Sequence, residues 1–152
     1  MRLLVLLAFF FLLCSGYFIL YGNLSIAGPG RLALAIMFVF SGILHIKYRE
    51  GIYLSYPKFL TQLNRIKLVF IIGDLQFAFA AALVFADTAK MMVPALLLYL
   101  VSGLFTQINA CLGNVSIKRG NYTGKGAIYL LFKIPEQLII ICWTYYFTLV
   151  CR

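Results

Sequence analysis

The chain reads as a series of apolar runs separated by short polar stretches. The first, Leu3 to Tyr21, is about as long as the roughly 20 helical residues that cross the hydrocarbon of a bilayer. It follows Arg2 and gives way to Gly22-Asn23 and Gly28-Pro29-Gly30, residues that punctuate helices and predict a turn. The second runs from Leu32 to about Ile46 and spans only if Lys47 and Tyr48 extend their polar ends to water. Lys47 to Lys67, basic and aromatic with Pro57 near its middle, is too polar to span and is expected to lie along the interface. Val69 to Phe85 is the third run, Asp87 to Lys90 a tight turn, and Met91 to Leu112 the fourth run. After a loop from Gly113 to Gly126, the fifth extends from Ala127 to Val150. The pattern predicts an all-α membrane protein.

Polar residues inside these runs are the informative ones, because ionisable and amide groups in hydrocarbon turn towards protein or a wet cavity. The last run carries Lys133-Ile134-Pro135-Glu136-Gln137 near its start. At helical spacing Lys133, Glu136, Gln137, Ile140 and Thr144 share a face, so this helix has a polar stripe that needs partners. Pro135 lacks an N–H, which frees the Leu131 carbonyl at the same level. In the second run Ser41, Gly42 and His45 share a face, and in the fourth Ser102, Thr106, Asn109 and Gly113 do. The third run holds Asp74 and Gln76. Asp74, Ala78 and Ala82 follow one another at four-residue spacing, a small surface suited to close helix contact, so Asp74 is expected to face protein. Asp74 and Gln76 point about 200° apart, so both do so only if this helix is central.

Composition sharpens the class. Of 152 residues 64% are hydrophobic and 11% charged, against roughly 25% charged in a soluble domain. The length suits one helical unit. The net charge is +9, but the basic residues cluster between apolar runs, as loop orientation and anionic headgroups select, which points away from nucleic acid. With the amino terminus in the cytoplasm, Arg2, Lys47, Arg49, Lys58, Arg65, Lys67, Lys118, Arg119 and Lys125 fall inside, with Lys133 nearby, and Arg31, Lys90 and Arg152 outside. That asymmetry, ten against three, sets the orientation and puts the carboxyl terminus outside, in what is expected to be a bacterial inner (plasma) membrane. Residues 1–24 are expected to be an anchor; the run exceeds the usual h-region of a signal peptide and lacks a small-x-small cleavage site. Asn23-Leu24-Ser25, Asn114-Val115-Ser116 and Asn121-Tyr122-Thr123 match the glycosylation pattern, too short a signal to carry weight. Cys14, Cys111, Cys142 and Cys151 form no C-x-x-C pair, which disfavours dithiol chemistry. One histidine and no spaced ligand set point away from a zinc or iron site.

At a rise of about 1.5 Å per residue, the polar groups align at one depth. His45 closes the second span, Asp74 and Gln76 lie about 10 Å into the third, Gln107 and Asn109 sit near the same end of the fourth, and Lys133 to Gln137 enter the fifth to a similar depth. A partly wet pocket opening to the cytoplasm, with His45, Asp74, Gln76, Asn109, Lys133, Glu136 and Gln137 as its candidate ligand-binding residues, is the economical arrangement. The competing reading is that these groups only hold helices together, by interhelical hydrogen bonds and a pair between Lys133 and Glu136 or Asp74. A helix-end histidine is by itself more often structural or interfacial.

Residues 31–150 resemble the DoxX-like family of small membrane proteins. The resemblance rests on Arg31 opening a span that ends in Gly42-Ile43-Leu44-His45, on Tyr56-Pro57 in the linker, on Gly73, on Asn109, and on Lys133-Ile134-Pro135-Glu136-Gln137. It implies a four-helix transmembrane bundle, here preceded by an additional N-terminal transmembrane helix, and it marks Arg31, His45, Asn109, Lys133, Pro135 and Gln137 as candidate positions. Gln76 stands where the family commonly has glutamate and Lys133 where it has arginine, which weakens any ion pair between them. Relatives associated with membrane redox systems imply an accessory or ligand-binding subunit beside a membrane oxidoreductase, with a quinone-like or lipid ligand. In such a pocket Lys133 would orient an anionic or carbonyl oxygen, His45 would exchange protons with the cytoplasm, and Asn109 with Gln137 would fix the ring. The alternative is a non-catalytic assembly protein that binds other membrane helices through its small-residue faces. A transporter ranks below both, since no internal repeat or matched pair of broken helices is evident.

Overall fold

A computed structural model describes residues 2–22, 26–57, 65–124 and 126–151. They form an all-helical protein: α1 (Arg2–Tyr21), α2 (Ala27–Lys47), α3 (Arg49–Ser55), α4 (Arg65–Val84), α5 (Ala86–Leu112) and α6 (Leu130–Tyr145). A 3-10 turn, Ala127–Tyr129, leads into α6, and a π-helical turn, Tyr146–Val150, follows it. Five stretches are long and apolar enough to cross a membrane: Arg2–Tyr21, Ala27–Lys47, Lys67–Val84, Ala86–Leu112 and Ala127–Val150. Lys58 to Asn64, which fall in the expected interfacial linker, and the Asn23-Leu24-Ser25 motif lie outside the described residues.

The helices meet where their sequences place small or inward-facing residues at helical spacing. On α2, Gly30, Ala33, Leu34, Met37, Phe38, Ser41, Gly42 and His45 are all buried, a stripe that repeats every three to four residues. On α4 the corresponding stripe is Val69, Gly73, Gln76, Ala80 and Leu83. The α2–α4 seam is the most extensive contact in the molecule, followed by α1–α2 and then α5–α6. Glycines let it close: a Cβ on Gly42 would stand 2.9 Å from the Phe77 ring, and one on Gly73 3.5 Å from Ile46. The core gathers Leu6, Leu34, Phe38, Phe79, Leu96 and Ile140 from α1, α2, α4, α5 and α6.

Several boundaries differ from those read off the chain. Gly28-Pro29-Gly30 is the opening turn of α2 and not a loop. Proline is tolerated there, since the first turn of a helix has no intrahelical acceptor for its N–H groups. Gly30 is also required by packing, because a Cβ would meet the Phe147 ring at 2.1 Å. Asp87 to Lys90 is likewise helical, within the start of α5. The chain turns at the extended Phe85, where the Thr88 hydroxyl lies 2.7 Å from the Ala82 carbonyl, an orphan acceptor at the end of α4, and 3.1 Å from the Phe85 carbonyl, which also accepts the Ala89 N–H. In the 47–67 segment, Arg49–Ser55 forms α3, whose Gly51, Ile52, Tyr53 and Ser55 are buried. It packs on α4 and α5 rather than lying against lipid alone.

Candidate functional site

The inward stripes of α2 and α4 deliver His45 and Gln76 to one level, and both are buried, at 7% and 1% exposure. Tyr56, just after α3, and Tyr99, midway along α5, close on them. His45 Nε2 lies 2.9 Å from the Tyr56 hydroxyl, and His45 Nδ1 lies 3.4 Å from the Gln76 amide nitrogen. That nitrogen also donates to the Tyr99 hydroxyl. The four side chains, carried by α2, α4, α5 and the end of α3, make a continuous polar nest inside an otherwise apolar core.

The nest is incompletely satisfied. Gln76 Oε1 is buried and has no hydrogen-bond partner among the described residues. If the amide is turned over, its oxygen accepts from Tyr99 and from His45, and its nitrogen becomes the unpartnered atom. Either way one amide atom lacks a partner, at a cost of about 1–3 kcal/mol. In the first arrangement the amide donates to His45 Nδ1, the imidazole donates from Nε2 to Tyr56, and both phenols act as acceptors that keep an O–H to donate. Burial, reinforced by neighbouring Tyr99, pushes the Tyr56 phenol above its ordinary range, against a pull in the other direction from Arg2. The Tyr56 proton is therefore held at neutral pH.

A second amide chain lies beside it on α5 and α6. Gln107 Nε2 donates to Gln137 Oε1 at 3.0 Å, and Gln137 Nε2 donates to the Leu100 carbonyl at 2.9 Å. The order is locked, since reversing Gln137 would set its oxygen against that carbonyl. Gln107 Oε1 is left buried without a partner. Asn109 donates from Nδ2 to the Ser55 carbonyl at 2.8 Å and so ties α5 to the end of α3.

The remaining candidates stand elsewhere. Lys133 Nζ pairs with Glu136 Oε2 at 2.7 Å within α6 and lies 5.5 Å from the Tyr129 ring centroid. Glu136 Oε1 also accepts the Leu3 backbone N–H at 3.4 Å, one of the orphan donors at the start of α1. No hydrogen bond joins Lys133 to the nest among the described residues; through Glu136 the pair links α6 to the start of α1. Asp74 corrects a second expectation: it is exposed, on the side of α4 that carries exposed Leu75, Ala78 and Ala81. The contact surface of α4 follows Val69, Gly73, Gln76, Ala80 and Leu83, which turns Asp74 away from the chain's other helices. The α6 stripe does point inward, with Gln137, Ile140 and Thr144 buried. Ser102 is exposed and donates to the Tyr99 carbonyl within its own helix.

Two nest residues are not among the candidates read from the chain: Tyr56, which enters there only through the Tyr56-Pro57 pair, and Tyr99. For Tyr99 the available signal was its place: membrane tyrosines concentrate at the two interfaces, and one at mid-span needs a buried hydrogen-bond partner. Among the described residues no group of three His, Cys, Asp or Glu side chains could hold a metal ion. No family model, curated protein or solved structure matches this chain.

Proposed function

We propose that this is an integral membrane protein whose nest of His45, Tyr56, Gln76 and Tyr99 binds the carbonyl head of an amphipathic, quinone-like molecule, as an accessory or ligand-binding subunit of a membrane redox system. The supporting observation is the Gln76 amide, which in either orientation keeps one buried atom without a partner and which, with its nitrogen towards Tyr99, leaves both phenols a proton to donate. A carbonyl oxygen accepts two such protons, and pockets between bundle helices with a few convergent polar groups suit a flat apolar ligand with one polar end. The redox setting follows from the resemblance to DoxX-like proteins, as do the four-helix bundle of α2, α4, α5 and α6 and α1 as an added anchor. The orientation follows from the loop charges, with the amino terminus in the cytoplasm of a bacterial inner membrane and the nest in the inner half.

The test is to titrate the purified protein with a short-chain quinone by calorimetry, and to extract it with organic solvent in search of a stoichiometric quinone or lipid. Gln76→Leu and Tyr99→Phe are each expected to weaken binding about tenfold, the worth of one hydrogen bond of about 1.4 kcal/mol. No saturable binding and an empty extract would overturn the proposal.

One observation favours a second reading, that of a non-catalytic assembly protein. An exposed carboxylate within an apolar span requires a partner in the membrane, and Asp74 with exposed Ala78 provides a close-packing surface for a helix of another protein. Crosslinking in native membranes separates the readings: Ala78→Leu reduces partner recovery under the second and leaves it unchanged under the first.

A further inference from the structure

Where α2 gives way to α3, the chain forms a cleft of about 410 Å³. Lys47, Arg49 and Glu50 line it from the helices, and Lys118, Arg119 and Gly120 from the loop after α5. The cleft is independent of the buried nest and of any ligand proposed there. Among the described residues the single ion pair is Lys133 with Glu136, so none of the four lining cations is paired with Glu50 or another carboxylate.

An excess of basic residues in loops is what membrane topology alone selects. Topology asks only that they lie on one side, and does not bring residues distant in sequence to the walls of one cavity. Here the convergence is built into the backbone. A Cβ on Gly51 would lie 2.1 Å from the Ile117 carbonyl oxygen, so α3 and the loop are in direct main-chain contact. Gly120 has a φ of +62°, a left-handed turn open to glycine, which brings its Cβ position to 3.4 Å from Glu50 Cβ. Neighbouring like charges repel, weakly where water and salt screen them, and an anion held among four of them beside one carboxylate relieves that repulsion.

We propose that this cleft binds the phosphate group of a phosphate monoester, drawn either from a phosphatidic acid headgroup in the adjoining leaflet or from a free phosphate ester in the aqueous phase. Arg49 and Arg119 supply the guanidinium forks that match phosphate oxygens, and Lys47 and Lys118 supply point charges. The cavity falls within the range of small-molecule sites, about 300–1,000 Å³, and so has room for an ester. Ile46 and Tyr48 form its apolar edge, where a lipid chain or the ester's carbon skeleton can rest.

The experiment uses the full chain in phosphatidylcholine nanodiscs, with glycerol 3-phosphate as the soluble probe by calorimetry and phosphatidic acid as the lipid probe by native mass spectrometry. One saturable site is expected, weakened about tenfold by Arg49→Gln and by Arg119→Gln, each of which removes a charge-assisted pair. Lys90→Gln, at the opposite end of α5, is the control and should change nothing. Binding of phosphatidic acid alone identifies the lipid as the source, and binding of glycerol 3-phosphate alone identifies the soluble ester. Non-saturable uptake of both probes, or equal losses in all three variants, would reduce the cleft to diffuse surface charge and overturn the proposal. All three substituted positions are exposed, so unchanged thermal unfolding of the variants is the check that the cleft's frame survives.

Discussion

The first two helices are neighbours of nearly equal length, and they behave in opposite ways. In α1, the most hydropathic of the five spanning stretches, only 6% of the spanning window is buried, whereas in α2, the second least hydropathic, 56% is. In water the more apolar helix would be the more buried. In a bilayer lipid tails are as apolar as leucine, so side chains such as Leu4, Leu12, Ile19 and Leu20 gain little by leaving lipid, and they are exposed to it. The central position goes to the helix with small and polar residues, because glycine permits close approach and a buried histidine requires partners. α1 is held mainly along a seam through Leu6 and Phe10, with Phe10 4.9 Å from Trp143, and by the Glu136 carboxylate at its first turn.

The sharpest way to break this comparison is a matched pair of glycine replacements. Gly30→Leu in α2 drives a side chain into the Phe147 ring, where even a Cβ would sit at 2.1 Å; overpacking of this kind costs about 1–3 kcal/mol or more. Gly16→Leu in α1 has nothing within 4 Å of the new Cβ and is expected to stay within about 0.5 kcal/mol of the parent. Equal losses for the two in detergent unfolding would sink the contrast. Next comes Gln76→Leu, which strands His45 and Tyr99 in the core and should cost about 1–3 kcal/mol, read by the same unfolding. Glu136→Gln removes the ion pair with Lys133 and weakens the hold on α1. It is expected to cost about 1 kcal/mol or less, since the pair is only partly buried, and to raise protease access to α1 while access to α2 stays unchanged. The smallest effect on the isolated chain belongs to Asp74→Asn: no measurable change in unfolding, with loss of partner crosslinks if the outward face of α4 is an assembly surface.

Much of the architecture was legible because each span must satisfy the bilayer by itself. The inward stripe of α6, through Gln137, Ile140 and Thr144, could be read from spacing because that helix carries polar residues on one side only. α4 was harder, since its two polar residues point to opposite sides, and only the neighbours decide which side is inner. A rule that polar groups face protein assigned Asp74 inward, yet the glycine and alanine register through Gly73 and Ala80 turned Gln76 in and Asp74 out. The Gly28-Pro29-Gly30 turn was misread for a related reason: residues that break a helix in its middle are harmless in its first turn.

Span number and order belong to the amino-acid sequence alone, because crossing hydrocarbon constrains every segment separately. Which faces turn inward, that Tyr56 and Tyr99 complete a nest with His45 and Gln76, and that Arg49 and Arg119 share one cleft were decided only when the helices packed. A side chain's partners come from other segments, and the register that brings them together is set by the close fit of glycine, alanine and aromatic rings across seams that no single segment contains.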